Sequence, residues 1–245
     1  ALASICRKFL CEVGIDIGSR VVQIHTVKDE TLISENISLK TLNNKVDESP
    51  VRCLDKKVEK RMIDAIDKAK NAGDSVGGVI EIIANGLPYG LGSHVQWDTK
   101  LHARIAESIM SVNAFKGIEI GLGFKSSLRM GSEVHDEISW NGEKYTRHSN
   151  NAGGIEGGMS NAQPIIVRAV MKPIPTLIKP LRSIDIETKE EKLAHKERTD
   201  SCSVPAASIV AESMLCFVLA DALLEKFGGD TMDQLKAHMK VSGKY

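Results

Sequence analysis

Residues 149–176 read SNNAGGIEGGMSNAQPIIVRAVMKPIPT, and the rest of this 245-residue chain is best read outward from them. Five small residues come first: Ala152, Gly153, Gly154, Gly157 and Gly158. Glycine reaches positive φ and lets backbone approach a ligand or another backbone closely. An apolar run over 164–170 predicts a strand, and Lys172, Pro173, Ile174, Pro175 and Thr176 follow it. The two prolines hold that segment extended and remove N–H donors, which stiffens it. Lys172 sets a cation beside the rigid wall and Thr176 a hydroxyl. The combination suits a flat, phosphate-bearing ligand better than it suits a plain core.

Upstream, Leu2, Ile5, Cys6, Phe9, Leu10 and Val13 keep the i, i+3, i+4 spacing of a helix face from the first residue. No Ser, Thr, Asp or Asn precedes them as a cap, so further chain is expected ahead of residue 1. A strand is predicted over 20–27, and the polar stretch 28–50 shows no clear period. Leu54, Val58, Met62, Ile66 and Ala69 mark a helix, with Gly73 placed to end it. Residues 79–84 read as a strand. A helix over 99–112, capped by Asp98 or Thr99, precedes a period-two strand over 118–124. Asn141-Gly142 predicts a hairpin between 134–140 and 143–148, and 184–187 with 192–197 suggest a second. Pro205 opens a helix running to residue 227 with almost no polar face, which marks it as buried on several sides. A last amphipathic helix is expected over 231–239. Strands mixed with a few helices, hairpins included, predict an α+β fold with antiparallel sheets in a single domain over 1–245.

Composition sets bounds. Apolar residues make up 42% and charged residues 26%, as in an ordinary globular chain. With 32 basic and 32 acidic residues the net charge is zero, which argues against nucleic acid as the main partner. No apolar run is expected to reach the roughly 20 residues of a membrane span. Five cysteines, odd in number and with no C-x-x-C pair, fit a reduced, cytoplasmic setting rather than a disulfide framework or zinc site. The seven histidines are dispersed, and no metal site is expected. A targeting segment ahead of residue 1 is left open.

Two further segments accompany the opening block. Ser111-Val112-Asn113-Ala114-Phe115-Lys116-Gly117 stands ahead of Gly121-Leu122-Gly123-Phe124, and Arg198-Thr199-Asp200-Ser201-Cys202 stands ahead of Val204-Pro205-Ala206-Ala207. In order and spacing the three resemble chorismate synthase, most specifically between Gly77 and Glu212. The resemblance implies a β-α-β sandwich, with a helical layer between antiparallel sheets. It also implies that this chain is the C-terminal two-thirds of a family chain. The Gly-x-Ser-His-Gly start, the Arg-Pro-Gly-His segment and the Arg-Ser-Ser-Ala-Arg run of the family do not occur here, and the family's acid–base histidines lie in that part. Thr199 and Ser203 are mild departures from the motif.

The activity so implied is the 1,4-elimination of phosphate from 5-enolpyruvylshikimate 3-phosphate to give chorismate. It requires reduced FMN, with NADPH or an external reductase as electron source, and the resemblance also implies the homotetramer typical of the family. Family reading assigns Asn113, Ala114, Gly157, Lys172, Pro173, Ile174, Pro175, Thr176 and Arg198 to the flavin, and Asp200 to proton traffic beside it. Each residue also has a plainer reading. Lys172 reads as a solvated lysine before a turn, Gly157 as a loop glycine and Asn113 as a helix breaker. Arg198 and Asp200 read as a surface ion pair, or Asp200 as a cap for the helix at Pro205. Lys116, Arg129, Arg147, Arg168 and Arg182 are open to binding substrate carboxylates or to simple solvation. A folded, oligomerising scaffold that binds flavin weakly and catalyses nothing is the alternative reading of the whole. Above all, the family reading expects Asn113, Gly157, Lys172 and Arg198 to surround one hollow.

Overall fold

The computed structural model describes residues 1–33, 38–143, 145–197 and 200–242. Its centre is a five-stranded antiparallel sheet. The chain enters through helix α1 (Leu2–Glu12) and strands β1 (Asp16–Ile24) and β2 (Val27–Lys28). Helices α2 (Leu39–Asp47) and α3 (Lys56–Asn71) precede β3 (Gly78–Asn85), and α4 (Leu101–Met110) leads into β4 (Phe115–Ile120). A 3₁₀ turn (Gly123–Leu128) and the short α5 (Gly131–Val134) lead to a hairpin, β5 (Ile138–Trp140) with β6 (Tyr145–Arg147). A tight ribbon, β7 (Ile155–Glu156) with β8 (Met159–Ser160), comes before β9 (Ile165–Met171). The ribbon β10 (Arg182–Ile184) with β11 (Glu191–Leu193), then α6 (Val204–Phe227) and α7 (Met232–Val241), complete the order. Across the sheet the strands run β2-β1-β3-β9-β4.

Alternation along the strands builds two unlike faces. Ile17 and Val21 of β1, Ile80, Ile82 and Ala84 of β3, and Ile165, Val167 and Ala169 of β9 are all buried in the main core. Helix α6 packs against β1 and β3, with α1 and α4 beside it. On the other face Gly18 lets α2 come close: a Cβ there would lie 3.2 Å from Asn43 Oδ1. Leu39, Leu42 and Val46 close over Ile83 as a small second core. The rest of that face carries alternating charge. Glu81 accepts from Arg20 Nε at 2.9 Å and from Arg168 Nε at 2.8 Å. Arg168 also pairs with Glu119 at 3.4 Å. Opposite charges on neighbouring strands support register and satisfy each other's buried groups. Arg168, one of the arginines left open by sequence, is therefore committed to the sheet.

The antiparallel α+β class expected from sequence is the class observed. Of the two sheets that the resemblance implies around the helical layer, the described residues form one large one. The side of α6 turned away from it exposes Ile209, Val210, Phe217 and Leu224. By length and composition α6 is apolar enough to cross a membrane, which corrects the expectation that no segment is. Its burial against α1, α4, β1 and β3 makes it the core helix of this fold. Glu212, 2% exposed on α6, accepts hydrogen bonds from Arg7 of α1 and Ser19 of β1 and lies 4.0 Å from Arg52. A buried carboxylate demands such partners, and here they tie α1, β1 and α6 together.

Several boundaries differ from expectation. Strand β1 starts at Asp16 rather than residue 20, because Gly18 and Ser19 face close partners instead of bulky ones. Helix α2 lies inside the stretch without evident period. Helix α4 starts after Lys100 with no side-chain cap, so neither Asp98 nor Thr99 caps it. Strand β4 runs over 115–120 rather than 118–124, since Gly121 and Gly123 turn at φ 60° and 56°. The second hairpin is shifted, with β10 ending at Ile184 and β11 at Leu193. Ser203, not Asp200, occupies the N-cap position of α6.

Candidate functional site

Four segments meet at one end of the sheet, where β9 finishes and β4 begins. Lys172 N–H donates to Ala114 O at 2.9 Å, so the lysine sits directly beside Asn113-Ala114. Helix α4 stops at Met110, and Ala114 turns the chain into β4 at φ 72°. Lys172 and Pro173 are exposed, Ile174 half-buried. Beneath them lies the loop of residues 73–77. Its first residue, Gly73 (φ 69°), closes α3: Gly73 N–H donates to Lys70 O and Asp74 N–H to Ala69 O, the paired bonds of a left-handed helix stop.

That loop grips everything around it. Ser75 Oγ donates to Ile174 O at 2.6 Å. Val76 N–H donates to Ser201 O at 2.8 Å, which brings the segment carrying Asp200 alongside. Lys179 N–H returns to Gly73 O at 2.9 Å. Gly77 passes so close that a Cβ would stand 2.2 Å from Met171 O and 2.9 Å from the Lys172 carbonyl carbon. A groove of about 710 Å3 opens here, with Ser75, Gly77 and Pro173 in its wall and Arg61 and Lys68 on its α3 side. Its size is that of a small-molecule site. Of the sequence-predicted site residues Pro173 is in its lining and Lys172 is not; a proline wall, close backbone and the Arg61 and Lys68 cations fit a flat ligand with a phosphate arm, as FMN is. Asp64 and Asp74 also line the groove, so its charge is mixed rather than uniformly basic.

The glycine block lies elsewhere. Gly157 and Gly158, at φ 60° and 93°, form the two-residue turn between β7 and β8, the geometry that a tight hairpin requires. Gly158 O accepts from Leu101 N–H, at the start of α4 rather than its end. Gly153 and Gly121 pack backbone to backbone, each at positive φ, and a Cβ on Gly121 would stand 2.2 Å from Asn151 O. Asp136 organises the approach, accepting from Ser149 Oγ and from the amides of Asn151 and Ala152 at 2.7 and 2.9 Å. Burial pushes the Asp136 carboxyl up, but these bonds and the nearby Arg147 charge outweigh it and hold the group below its ordinary value. Gly157 alone in this block has open space, with nothing within 4 Å of the point where a Cβ would stand. Beside it is a smaller hollow of about 340 Å3 bordered by Lys100, His102 and Ile120. Burial and the Lys100 charge together lower the His102 pKa.

The predicted site residues are thus distributed unevenly. Asn113, Ala114, Lys172, Pro173 and Ile174 come together, Pro175 and Thr176 continue the same segment, and Asp200 is carried to it by Ser201. Gly157 is about 20 Å away, the length of β4 from Ala114 to Ile120 at ~3.4 Å per residue. Arg198, with Thr199, lies outside the described residues. Arg147 pairs with Glu156 at 2.7 Å and serves the glycine block. Sequence reading passed over Ser75 and Gly77, taking Gly73 only as a helix stop. The signal was present: Gly73-Asp74-Ser75-Val76-Gly77-Gly78 is a second glycine-bounded run of small residues.

A long apolar core helix and an antiparallel sheet, with a proline-stiffened basic segment at the sheet's end, define an α+β chain. The family profile described as chorismate synthase matches residues 1–224, and the chain belongs to that family. It is 53% identical to "Chorismate synthase 2" of Bacillus cereus and 52% identical to "Chorismate synthase 1" of Bacillus anthracis. Both matches cover 100% of this chain and 63% of the relative, so the chain spans under two-thirds of their length. A solved structure, "Crystal Structure of Chorismate Synthase", superposes with a TM-score of 0.82 at 44% identity, covering 98% of this chain and 66% of that one.

Proposed function

We propose that the protein carrying this chain is a lyase that converts 5-enolpyruvylshikimate 3-phosphate to chorismate, with reduced FMN held where β9 meets β4. The observation that carries the reading is the convergence of Ala114, Lys172 and the 73–77 loop, which with Pro173 forms one wall of a groove of about 710 Å3. The relatives' names support the chemistry. Reduced FMN, when bound, supplies electron density to the substrate and recovers it as phosphate leaves.

The chain's own residues bind and orient. Lys172 sets its ammonium against the anionic side of the ligands, and a fixed cation stabilises the negative charge that grows on departing phosphate. Pro173, Ile174 and Pro175 form a wall that excludes water from one face. The Asn113 amide both donates and accepts, which suits the edge of a flavin ring, and the Thr176 hydroxyl adds a further polar contact. Ala114 admits close approach of the turn. Arg198 is proposed to take the flavin phosphate, and Asp200 to receive or return a proton beside the ring. Gly157, a sheet-length away, joins the same flavin only if a second copy of the chain presents its turn there. A homotetramer offers such a copy and covers the apolar residues exposed on α6. A cytoplasmic location and NADPH as electron source belong to the same proposal.

Anaerobic titration with reduced FMN, followed by substrate addition, tests the reading. Micromolar flavin binding with phosphate release supports it; neither binding nor release overturns it. A second reading is favoured by the mixed charge of the groove, where Asp64 and Asp74 stand beside the cations: a folded scaffold that holds flavin weakly without turnover. Binding without phosphate release is its signature. Light scattering tests the assembly, and a clean monomer contradicts the tetramer.

A further inference from the structure

The loop of residues 73–77 touches the Lys172–Ile174 stretch and the segment carrying Asp200, yet it carries none of the residues assigned to the flavin. Three of its hydrogen bonds run to residues 174–201. The Ser75 hydroxyl reaches Ile174 O at 2.6 Å, Val76 N–H reaches Ser201 O at 2.8 Å, and Gly73 O receives Lys179 N–H at 2.9 Å. A further contact is steric, the passage of Gly77 under Met171 and Lys172. The segment it holds is poor in donors of its own. Pro173 and Pro175 have no N–H, so residues 172–176 cannot be fastened by an ordinary strand ladder. Lys172 N–H is tied to Ala114, and Ile174 between the two prolines is held through its carbonyl by Ser75.

Ser75 makes that offer from a firm base. It is 7% exposed, its own N–H donates to Asp74 Oδ1 at 2.8 Å, and the loop is anchored to α3 by the Gly73 turn. We propose that Ser75 is a positioning residue for the flavin site, fixing the Lys172–Thr176 wall through Ile174 O. In the same proposal Gly77 is the contact that sets the wall's height. The inference rests on the flavin reading above and extends it to the wall's support, Ser75 and Gly77, which act through Ile174 and Lys172 and also border the groove. A serine in this place couples the wall to the Asp200 segment through its neighbour Val76, so one loop sets the distance between the cation and the acid.

The test uses Ser75→Ala, Ser75→Thr and Ser75→Cys in the 245-residue chain, with two readouts. The first is amide hydrogen exchange at Val76 and Lys179, which needs no ligand. The second is the dissociation constant for reduced FMN. Losing one hydrogen bond to a half-buried carbonyl predicts exchange about fivefold to tenfold faster at both amides. Amides of α6 stay unchanged, and FMN binding weakens by a similar factor. Ser75→Thr, which keeps the hydroxyl, restores both readouts, and Ser75→Cys falls between. If Ser75→Ala does not fold, Ser75→Cys carries the comparison. Unchanged exchange overturns the proposal, and so does faster exchange with undiminished FMN affinity, which would make the contact merely structural. A wild-type chain that binds no FMN sinks the flavin reading instead, while exchange still decides whether Ser75 holds the wall.

Discussion

The glycine block of residues 150–160 and the Lys172–Thr176 segment are neighbours in sequence and strangers in space. Strand β9 (Ile165–Met171) runs between them, and its seven residues carry the chain about 20 Å from one end of the sheet to the other. At the far end, glycines are used for backbone packing: Gly121 against Gly153, Gly154 against Pro164, Gly158 against Ser93. At the near end, small residues of a different loop bring Gly77 under Lys172 and Ser75 under Ile174. Two glycine-rich segments therefore serve different ends. One folds a compact turn against α4, and the other supports a wall in which two prolines carry no N–H donor.

Substitutions at the two ends should separate these roles. The largest effect is expected from Gly121→Val. Its φ of 60° disfavours any side chain, and its Cβ would meet backbone at 2.2 Å. A loss of about 3 kcal/mol or more in denaturant unfolding is predicted; a fully stable variant would show that the far end is loosely packed. Asp136→Asn comes next. Replacing an acceptor that serves one hydroxyl and two amides is expected to cost about 1–3 kcal/mol at pH 7. Because the folded-state pKa of Asp136 is depressed, its contribution is present above the ordinary carboxylate value of about 3.9 and fades as pH falls below it. The gap between wild type and variant should begin to narrow as pH falls below about 4 and close only once the depressed folded-state carboxyl is protonated, and a gap that persists unchanged at about pH 3 refutes the assignment.

Near-end changes should be silent in stability and visible in binding. Lys172 is exposed, so Lys172→Met is expected to leave unfolding within about 0.5 kcal/mol of wild type. It should weaken reduced FMN about tenfold, roughly 1.4 kcal/mol, and equal affinity would remove Lys172 from the site. The smallest effect belongs to Gly157→Ala. Nothing lies within 4 Å of the added methyl, and the positive φ alone costs about 1 kcal/mol. In a monomeric sample its flavin affinity should match wild type. A large loss there would place the far-end turn on the ligand.

Much of this architecture is legible in the sequence because burial imposes period. The stripe Leu54–Ala69, the nearly all-apolar helix pattern of Ile209–Leu224 and the apolar runs 79–84 and 164–170 all became the elements they predict. Pattern failed where a strand faces something other than bulk apolar side chains. Gly18 and Ser19 lack the signature because one admits α2 and the other bonds Glu212. Helix α2 escaped notice because its three buried residues, Leu39, Leu42 and Val46, sit among Lys, Asn and Thr. The site was legible in part. Lys172 with its prolines marks a rigid basic wall by chemistry alone, and Asn113-Ala114 does meet it. The bracing by Ser75 was hidden, since a contact spanning 99 residues has no local trace. The distance to Gly157 was hidden for the same reason: spacing along a strand is length, not proximity.

Backbone amide chemical shifts of the labelled chain, followed by NMR through an anaerobic titration with reduced FMN, test the near-end site most directly. Shifts concentrated at Ala114, Lys172, Ile174 and Thr176, saturating together, are the predicted result. Shifts confined to the Gly157–Gly158 turn, or none at saturating flavin, would contradict it.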